Sequence, residues 1–132
     1  LENKAYEIEF SHDVEKVPFQ NKRQISVNPI SKNPLTVTIS RSHNNEKTDE
    51  FLKNYNIKNT IITGSSIKFC LIASGIAELY PRLGPTREWD VAAGHAILKA
   101  AGGNVRIMDK SELQYGKEEE NFLNPDFIAT NF

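Results

Sequence analysis

Cysteine is nearly absent from this sequence of 132 residues, in which Cys70 is the only one. A lone thiol excludes a disulfide within the chain, and a low cysteine content is typical of proteins from reducing compartments. We therefore expect a cytoplasmic protein, with peripheral association at the inner membrane left open. Because Phe69 and Leu71 flank Cys70, we expect its thiol to be buried rather than reactive.

Long apolar runs and an excess of charge are also lacking. No run is long enough to cross a membrane, and the chain begins at Leu1 with neither a methionine nor a signal-peptide pattern. We therefore expect a soluble segment, excised from a longer protein, without a transmembrane segment. The 16 Lys and Arg and 17 Asp and Glu give a formal net charge of -1. This balance gives no reason to expect nucleic acid as a partner, so phosphate recognition must come from locally placed groups.

Clustered catalytic or metal-binding side chains are scarce as well. One cysteine and three scattered histidines provide neither a zinc-type spacing nor a Ser-His-Asp arrangement, so serine-based catalysis is not expected. His12 has no supporting context, and His95 is expected to pack beside its helix. Residues 117–120 (Lys-Glu-Glu-Glu) are expected to form a solvated loop, because adjacent carboxylates repel one another and diverge.

Strands and helices alternate along the chain, which predicts a layered α/β domain around one core. The predicted strands are residues 5–10, 35–39, 60–63, 77–80, 104–108 and 127–130, and the predicted helices are residues 47–55, a segment after residue 65 that ends near residue 75, and residues 90–101. Residues 81–85 are predicted to be a loop. Residues 1–34 are predicted to form a hairpin or sheet edge with a polar connection, and residues 35–132 to form the α/β domain.

Residues 89–94 (Trp-Asp-Val-Ala-Ala-Gly) place the carboxylate of Asp90 at the start of a predicted helix. We expect small residues on this helix to let a neighbouring element approach closely; they are Ala92, Ala93, Ala96, Ala100 and Ala101. A left-handed residue at Gly102-Gly103 is expected to end the helix. From its position alone, Asp90 is better interpreted as a cap for free backbone N–H groups than as a catalytic residue.

Four further side chains have the chemistry to bind a phosphate or a nucleotide. Ser65 follows a strand and begins a helix, where its hydroxyl could bind a phosphate or cap the helix. Lys68 lies in the first turn of that helix, and spacing alone favours solvent exposure. Arg82 follows a strand and could bind phosphate bidentately or form a surface salt bridge. His43 could hydrogen-bond a nucleotide, although a loop histidine is more often structural.

The motifs that carry a family resemblance are residues 40–43 (Ser-Arg-Ser-His), 64–70 (Gly-Ser-Ser-Ile-Lys-Phe-Cys), 79–82 (Leu-Tyr-Pro-Arg), 89–94 and 122–125 (Phe-Leu-Asn-Pro). In this order they resemble the C-terminal half of bacterial 3'(2'),5'-bisphosphate nucleotidases of the CysQ type, within the inositol monophosphatase and fructose-1,6-bisphosphatase superfamily. The resemblance extends from about residue 35 to residue 132. It implies the C-terminal layered α/β domain of the inositol monophosphatase-like fold, with a five-stranded mixed sheet flanked by helices.

The resemblance also implies an activity, namely Mg²⁺-dependent hydrolysis of adenosine 3',5'-bisphosphate to AMP and phosphate in sulfur assimilation. The residues that it implies as substrate contacts are His43, Ser65, Lys68, Arg82 and Asp90. It further implies that Asp90 is catalytic, as a ligand of the metal, and it leaves Ser66 as the helix cap. The alternatives are half of an inositol monophosphatase-like phosphatase, or a non-catalytic nucleotide-binding remnant of a split gene.

One family signature is missing, because Asp-Pro-(Ile or Leu)-Asp-Gly-Thr occurs nowhere in the sequence. In members of the superfamily this signature and an upstream Glu lie in an N-terminal metal-binding domain, which is absent here. Asp90 alone cannot hold the several Mg²⁺ ions that the resemblance implies. We therefore expect this chain to contribute half of an active site, to be inactive alone, and to need a separate N-terminal half as its partner.

Overall fold

The computed structural model describes residues 3–8, 22–29, 33–42 and 45–132. The elements in chain order are β1 (Ala5–Ile8), β2 (Lys22–Ile25), β3 (Leu35–Ser40), α1 (Glu46–Leu52), β4 (Ile57–Thr63), α2 (Ile67–Ala73), β5 (Leu79–Arg82), α3 (Glu88–Ala100), β6 (Asn104–Ile107) and β7 (Phe127–Thr130). Each predicted strand and helix is present, with ends that differ by a few residues. Among the described residues, no helix is long and apolar enough to cross a membrane.

Strands β3 to β7 form a five-stranded sheet in the order β4-β3-β5-β7-β6. Strands β4, β3 and β5 run parallel, whereas β7 is antiparallel to both β5 and β6. This arrangement confirms the predicted mixed sheet of an α/β fold. The three parallel strands end at the same sheet edge, where their last residues are Ser40, Thr63 and Arg82. Ligand sites of open α/β sheets lie at this kind of edge.

The strand pair near the N-terminus is separate from the main sheet. Within the described residues β1 and β2 form a two-stranded antiparallel sheet, which agrees with the predicted strand pairing in residues 1–34. Ala5, Ile25 and Val27 are nevertheless buried in the main core cluster, and the backbone N–H of Val27 donates to the carbonyl of Ala101 at 3.0 Å. The pair is thus held against the domain by burial of its apolar side chains.

The loop predicted over residues 81–85 overlaps the end of strand β5. Pro81 and Arg82 belong to β5 and pair with Ile128 and Phe127 of β7. Proline suggested a loop because it lacks an N–H group for a sheet ladder. Between β3 and β5, however, only Val37 and Leu79 pair, so the ladder on that side does not extend to the proline. Arg82 is therefore fixed on a strand end rather than carried by a loop.

The close approach between α2 and α3 occurs at Gly94, where an added Cβ would lie 2.5 Å from the ring of Phe69. The expectation that alanines create this contact is wrong for Ala92, Ala93 and Ala96, which are exposed. They lie on the opposite side of α3 from the core, because residues at these spacings do not share the face of Gly94. The expectation holds at the end of the helix, where Ala101 is buried in the core cluster and Ala100 packs against it.

Three aromatic rings, one of which belongs to α2, form the centre of the core. The ring centroids of Phe69 and Tyr80 are 5.3 Å apart, and those of Phe69 and Phe127 are 6.0 Å apart. At the far end of α3, Gly102 has a φ of 95°, which confirms the predicted left-handed residue after the helix. These contacts fix the first turns of α2 and α3 relative to the ends of the parallel strands.

Candidate active site

A cleft of about 590 Å³ opens where the parallel strands end and where α2 and α3 begin. The side chains that line it are Ser40, Ser65, Ser66, Lys68, Phe69, Tyr80, Arg82, Pro85, Thr86, Arg87, Trp89, Asp90, Val91 and Leu123. Four of the five residues proposed from sequence as substrate contacts therefore line one cleft. The fifth, His43, lies outside the described residues, as does His12.

Arg82 is a buried cation at the floor of the cleft. It is only 8% exposed, and its Nη2 donates to the carbonyl of Pro85 at 2.5 Å. Nη1 donates to the Ser40 hydroxyl at 3.3 Å, while Nε is buried without a partner within the described ranges. None of the described carboxylates forms an ion pair with Arg82, so the expectation of a surface salt bridge is not met. A buried guanidinium without a counter-ion favours binding of an anion.

Lys68 is the second buried cation, only 3% exposed, so the spacing-based expectation that it points to solvent is wrong. Its Nζ donates to the carbonyl oxygens of Ser65 at 2.7 Å and Thr63 at 3.4 Å. The ammonium also lies 5.0 Å from the centroid of the Tyr80 ring. Burial, and then the charge of Arg82, lower the pKa of Lys68. Two neighbouring cations with no carboxylate between them would be stabilised by a bound phosphate.

The turn between β4 and α2 presents two serines to this cleft. Ser65 is in the left-handed region with a φ of 56°, which is uncommon for a residue other than glycine. Ser66 occupies the N-cap position of α2, but its side chain makes no capping hydrogen bond. The prediction of side-chain capping by Ser66 is therefore wrong. Its φ of -70° and ψ of -6° are helical, whereas a capping side chain needs an extended backbone.

Asp90 lies in the first turn of α3, exposed at the mouth of the cleft. Its Oδ2 accepts hydrogen bonds from the backbone N–H of Arg87 at 3.2 Å and from the Thr86 hydroxyl at 3.4 Å. Its Oδ1 makes no hydrogen bond to any of the described residues. The carboxylate thus stabilises the helix start through one oxygen, and the residue lines the cleft.

The side chains of the cleft provide few ligands for Mg²⁺. The ion takes oxygen ligands and is usually held by one or two carboxylates, with phosphate oxygens and waters completing its coordination. Among the described residues, Asp90 is the only carboxylate that lines the cleft, and no group of three or more His, Cys, Asp or Glu residues there could hold a metal. Asp90 therefore fits as a single Mg²⁺ ligand, and the described residues do not complete a metal centre.

Glu88, which sequence reasoning missed, binds a loop to the start of α3. Its carboxylate accepts the backbone N–H groups of Gly116 at 2.9 Å and Lys117 at 3.0 Å, and it forms an ion pair with the Lys117 ammonium at 2.7 Å. The hydrogen bond from the Lys117 side chain, followed by that from Gly116, lowers the pKa of Glu88 to about 2. Glu118, Glu119 and Glu120 are exposed as predicted, but Lys117 is half-buried.

Two other titratable residues lie away from the cleft. His95 is 5% exposed and packs beside α3 as predicted, with its Nδ1 at 2.8 Å from the Tyr115 hydroxyl. Cys70 is half-buried, and burial raises the pKa of its thiol, in agreement with the expectation of an unreactive residue.

Comparison with known proteins places this chain in a family. The model of the inositol monophosphatase family matches residues 10–131, and the chain belongs to that family. It is 47% identical over 109 residues to the 3'(2'),5'-bisphosphate nucleotidase CysQ of Salmonella typhimurium (strain LT2), an alignment that covers 83% of this chain and 43% of that protein. The family resemblance inferred from the motifs is thus confirmed.

Solved structures agree with the sequence comparison. The crystal structure of CysQ from Bacteroides thetaiotaomicron matches with a TM-score of 0.72 and 38% identity, covering 86% of this chain and 43% of that one. The inositol monophosphatase from Anabaena (Nostoc) sp. PCC 7120 matches with a TM-score of 0.63 at 22% identity, covering 83% and 45%, which shows the shared fold alone. The chain thus spans less than half the length of these relatives.

Proposed function

We propose that this chain is the nucleotide-binding half of a Mg²⁺-dependent phosphatase that hydrolyses adenosine 3',5'-bisphosphate to AMP and phosphate. The observation that carries the proposal is a pair of buried cations, Lys68 and Arg82, in one cleft with the carboxylate of Asp90. Neither cation has a carboxylate partner among the residues that the structure describes. We place the reaction in the cytoplasm, in keeping with the low cysteine content.

Each cleft residue has a role that its contacts support. Arg82 binds a phosphate of the nucleotide through its guanidinium, which already has its orientation fixed by Pro85 and Ser40. Lys68 contributes a second positive charge, and two of its N–H groups are held by backbone carbonyls. The Ser65 hydroxyl, exposed at the rim, and His43 complete the nucleotide contacts in this proposal.

Asp90 contributes one oxygen ligand to the metal. When bound, Mg²⁺ would act as a Lewis acid toward the phosphoryl oxygens and would lower the pKa of a coordinated water. The chain covers 43% of the length of the Salmonella typhimurium CysQ, whose remaining part has no counterpart here. We therefore propose that the other metal ligands come from a part of the family fold that these 132 residues do not include, and that these residues alone have negligible phosphatase activity.

Calorimetric titration tests the proposed ligand class. The purified chain should bind AMP or adenosine 3',5'-bisphosphate more tightly than inositol phosphate, because two fixed cations and the nucleoside contacts act together. Equal or tighter binding of inositol phosphate would move the assignment to an inositol monophosphatase-like phosphatase. A phosphate-release assay tests the second claim, and Mg²⁺-dependent turnover of the bisphosphate by this chain alone at an ordinary enzymatic rate would contradict it.

A further inference from the structure

The 116–124 loop, defined as residues 116–124, passes beside the first turn of α3 and forms one wall of the cleft. Leu123 from this loop lines the cleft, and its backbone forms a β-bridge with Arg87. The backbone N–H of Glu88 donates to the Phe122 carbonyl at 3.0 Å, and that of Asn124 donates to the Thr86 carbonyl at 2.9 Å. The loop and the helix start are therefore one hydrogen-bonded unit.

Trp89 connects this unit to the contents of the cleft. Its indole lines the cleft and is 64% exposed, so the helix itself does little to fix its orientation. The main ring neighbour of Trp89 is Phe122 of the loop, with centroids 5.8 Å apart. Phe122 and the preceding Asn121 both have left-handed backbones, with φ of 56° and 54°. Two consecutive non-glycine residues in this region persist only where surrounding contacts hold them.

Two charged side chains of the helix start supply contacts to the loop: Arg87 Nη1 donates to the Asn121 carbonyl, and Glu88 holds the beginning of the loop. The Glu88 side chain is 11% exposed and takes three donors from the beginning of the loop, namely two backbone N–H groups and the Lys117 ammonium. Lys117 is itself held, because its Nζ also donates to the Gln114 carbonyl and lies 5.5 Å from the centroid of the Tyr115 ring. Charge-assisted hydrogen bonds of this kind are about twice as strong as neutral ones.

We propose that Glu88 is a positioning residue, whose carboxylate fixes the 116–124 loop against α3 and so orients Trp89 and Asp90 toward a ligand in the cleft. Glu88 does not line the cleft, so it acts through its neighbours in the chain and through the loop. The inference rests on the proposed function, since it concerns the same cleft, but its first measurement needs no ligand.

That measurement is acrylamide quenching of tryptophan fluorescence, because Trp89 is the only tryptophan of the chain. Glu88→Gln removes the charge and one acceptor, so quenching of Trp89 should rise. Lys117→Met should have a smaller effect in the same direction, and Lys117→Arg, which keeps the charge and the donors, should restore the wild-type value. Lys117 does not line the cleft, so its effect on Trp89 must pass through Glu88 and the loop.

The second measurement is AMP affinity, which Glu88→Gln should weaken by about five- to tenfold, as expected for the loss of one charge-assisted contact. The matched control is Glu112→Gln, which breaks the ion pair with Lys99 near the other end of α3 and should change neither quenching nor affinity. If Glu88→Gln lowers thermal stability while quenching and affinity stay at the wild-type values, Glu88 is only structural and the proposal is overturned.

Two further outcomes also decide the question. If Glu88→Gln does not fold, Lys117→Met is judged by the same criteria against Lys117→Arg, and unchanged quenching in Lys117→Met overturns the proposal. If the wild-type chain binds no AMP, the proposed function fails, and the quenching of Trp89 then decides the role of Glu88 by itself.

Discussion

The cleft and the outer groove of α3 are both lined by ionisable side chains, but these side chains have different partners in the two places. The outer groove, of about 320 Å³, is lined by Ala92, His95, Ala96, Lys99, Glu112, Leu113, Gln114 and Tyr115. There Lys99 pairs with Glu112, and Nδ1 of His95 bonds to Tyr115, although Nε2 is buried without a partner among the described residues. In the cleft, Lys68 and Arg82 have no carboxylate partner within the described residues. Groups paired within the chain contribute to folding, whereas buried unpaired cations favour a ligand.

The largest effect that this contrast predicts is on turnover. When the chain is combined with the N-terminal half of a CysQ relative, Asp90→Asn should reduce the rate of phosphate release by several orders of magnitude, because the proposed metal ligand is lost. The free energy of unfolding of the chain should change little, since asparagine can still accept the backbone N–H of Arg87. Steady-state phosphate release and urea unfolding measure the two quantities. Near-normal turnover with normal Mg²⁺ dependence would show that Asp90 only stabilises the helix start.

Arg82→Met should separate binding from stability. We expect AMP binding to weaken by about 1–3 kcal/mol, because a charge-assisted contact to phosphate is lost. The free energy of unfolding should stay within about 1 kcal/mol of the wild-type value or rise, because the substitution removes a buried charge without a counter-ion. Calorimetry and urea denaturation check these expectations. A strongly destabilised Arg82→Met chain would mean that Arg82 serves the fold rather than a ligand.

The next prediction concerns the outer groove and is a pH dependence. Burial lowers the pKa of His95, so the unfolded chain binds a proton more readily than the folded chain as the pH falls below about 6.5. The contribution of His95 to stability is therefore present at neutral pH and is lost as the pH falls through its folded pKa. Urea unfolding between pH 7 and pH 5 should show a smaller loss of stability in His95→Gln than in the wild type. Equal losses would contradict this assignment.

The smallest expected effect is that of Lys99→Met in the same groove. The Lys99–Glu112 pair is exposed on both sides, and exposed ion pairs contribute about 1 kcal/mol or less. We expect a change in the free energy of unfolding within that range and no change in AMP affinity. A loss of AMP affinity as large as that of Arg82→Met would remove the distinction between the two regions.

The sequence predicts the strands and helices of the fold better than the burial of the side chains in the cleft. The alternating pattern locates every strand of the main sheet, and residues 127–130 coincide with β7. Sequence periodicity indicates which apolar side chains are buried, so it predicts that the charged Lys68 points to solvent. The contacts that hold Lys68 inside, two backbone carbonyls and the Tyr80 ring, have no local sequence pattern. It likewise treats Pro81 as a loop residue, because the partial pairing of β5 with β3 is a tertiary property.

Glu88 was missed for a similar reason. Its partners lie 28 and 29 residues further along the chain, at a distance where sequence spacing carries no information about contact. Because Lys117 precedes three acidic residues, residues 117–120 are predicted to be fully solvated, whereas Lys117 is half-buried. The candidate ligand contacts came from a resemblance rather than from spacing, and only folding brings Ser65, Lys68, Arg82 and Asp90 to one cleft.

The central claim is that the unpaired cations of the cleft form a phosphate site, and thermal unfolding with matched ligands tests it most directly. A ligand that binds only the folded state raises the unfolding temperature. We expect AMP to raise the unfolding temperature of the wild-type chain, adenosine to raise it much less, and Arg82→Met to reduce the difference between them, with Lys68 left as the remaining cation. Equal effects of AMP and adenosine on the wild type, or the same AMP effect on Arg82→Met, would contradict the account.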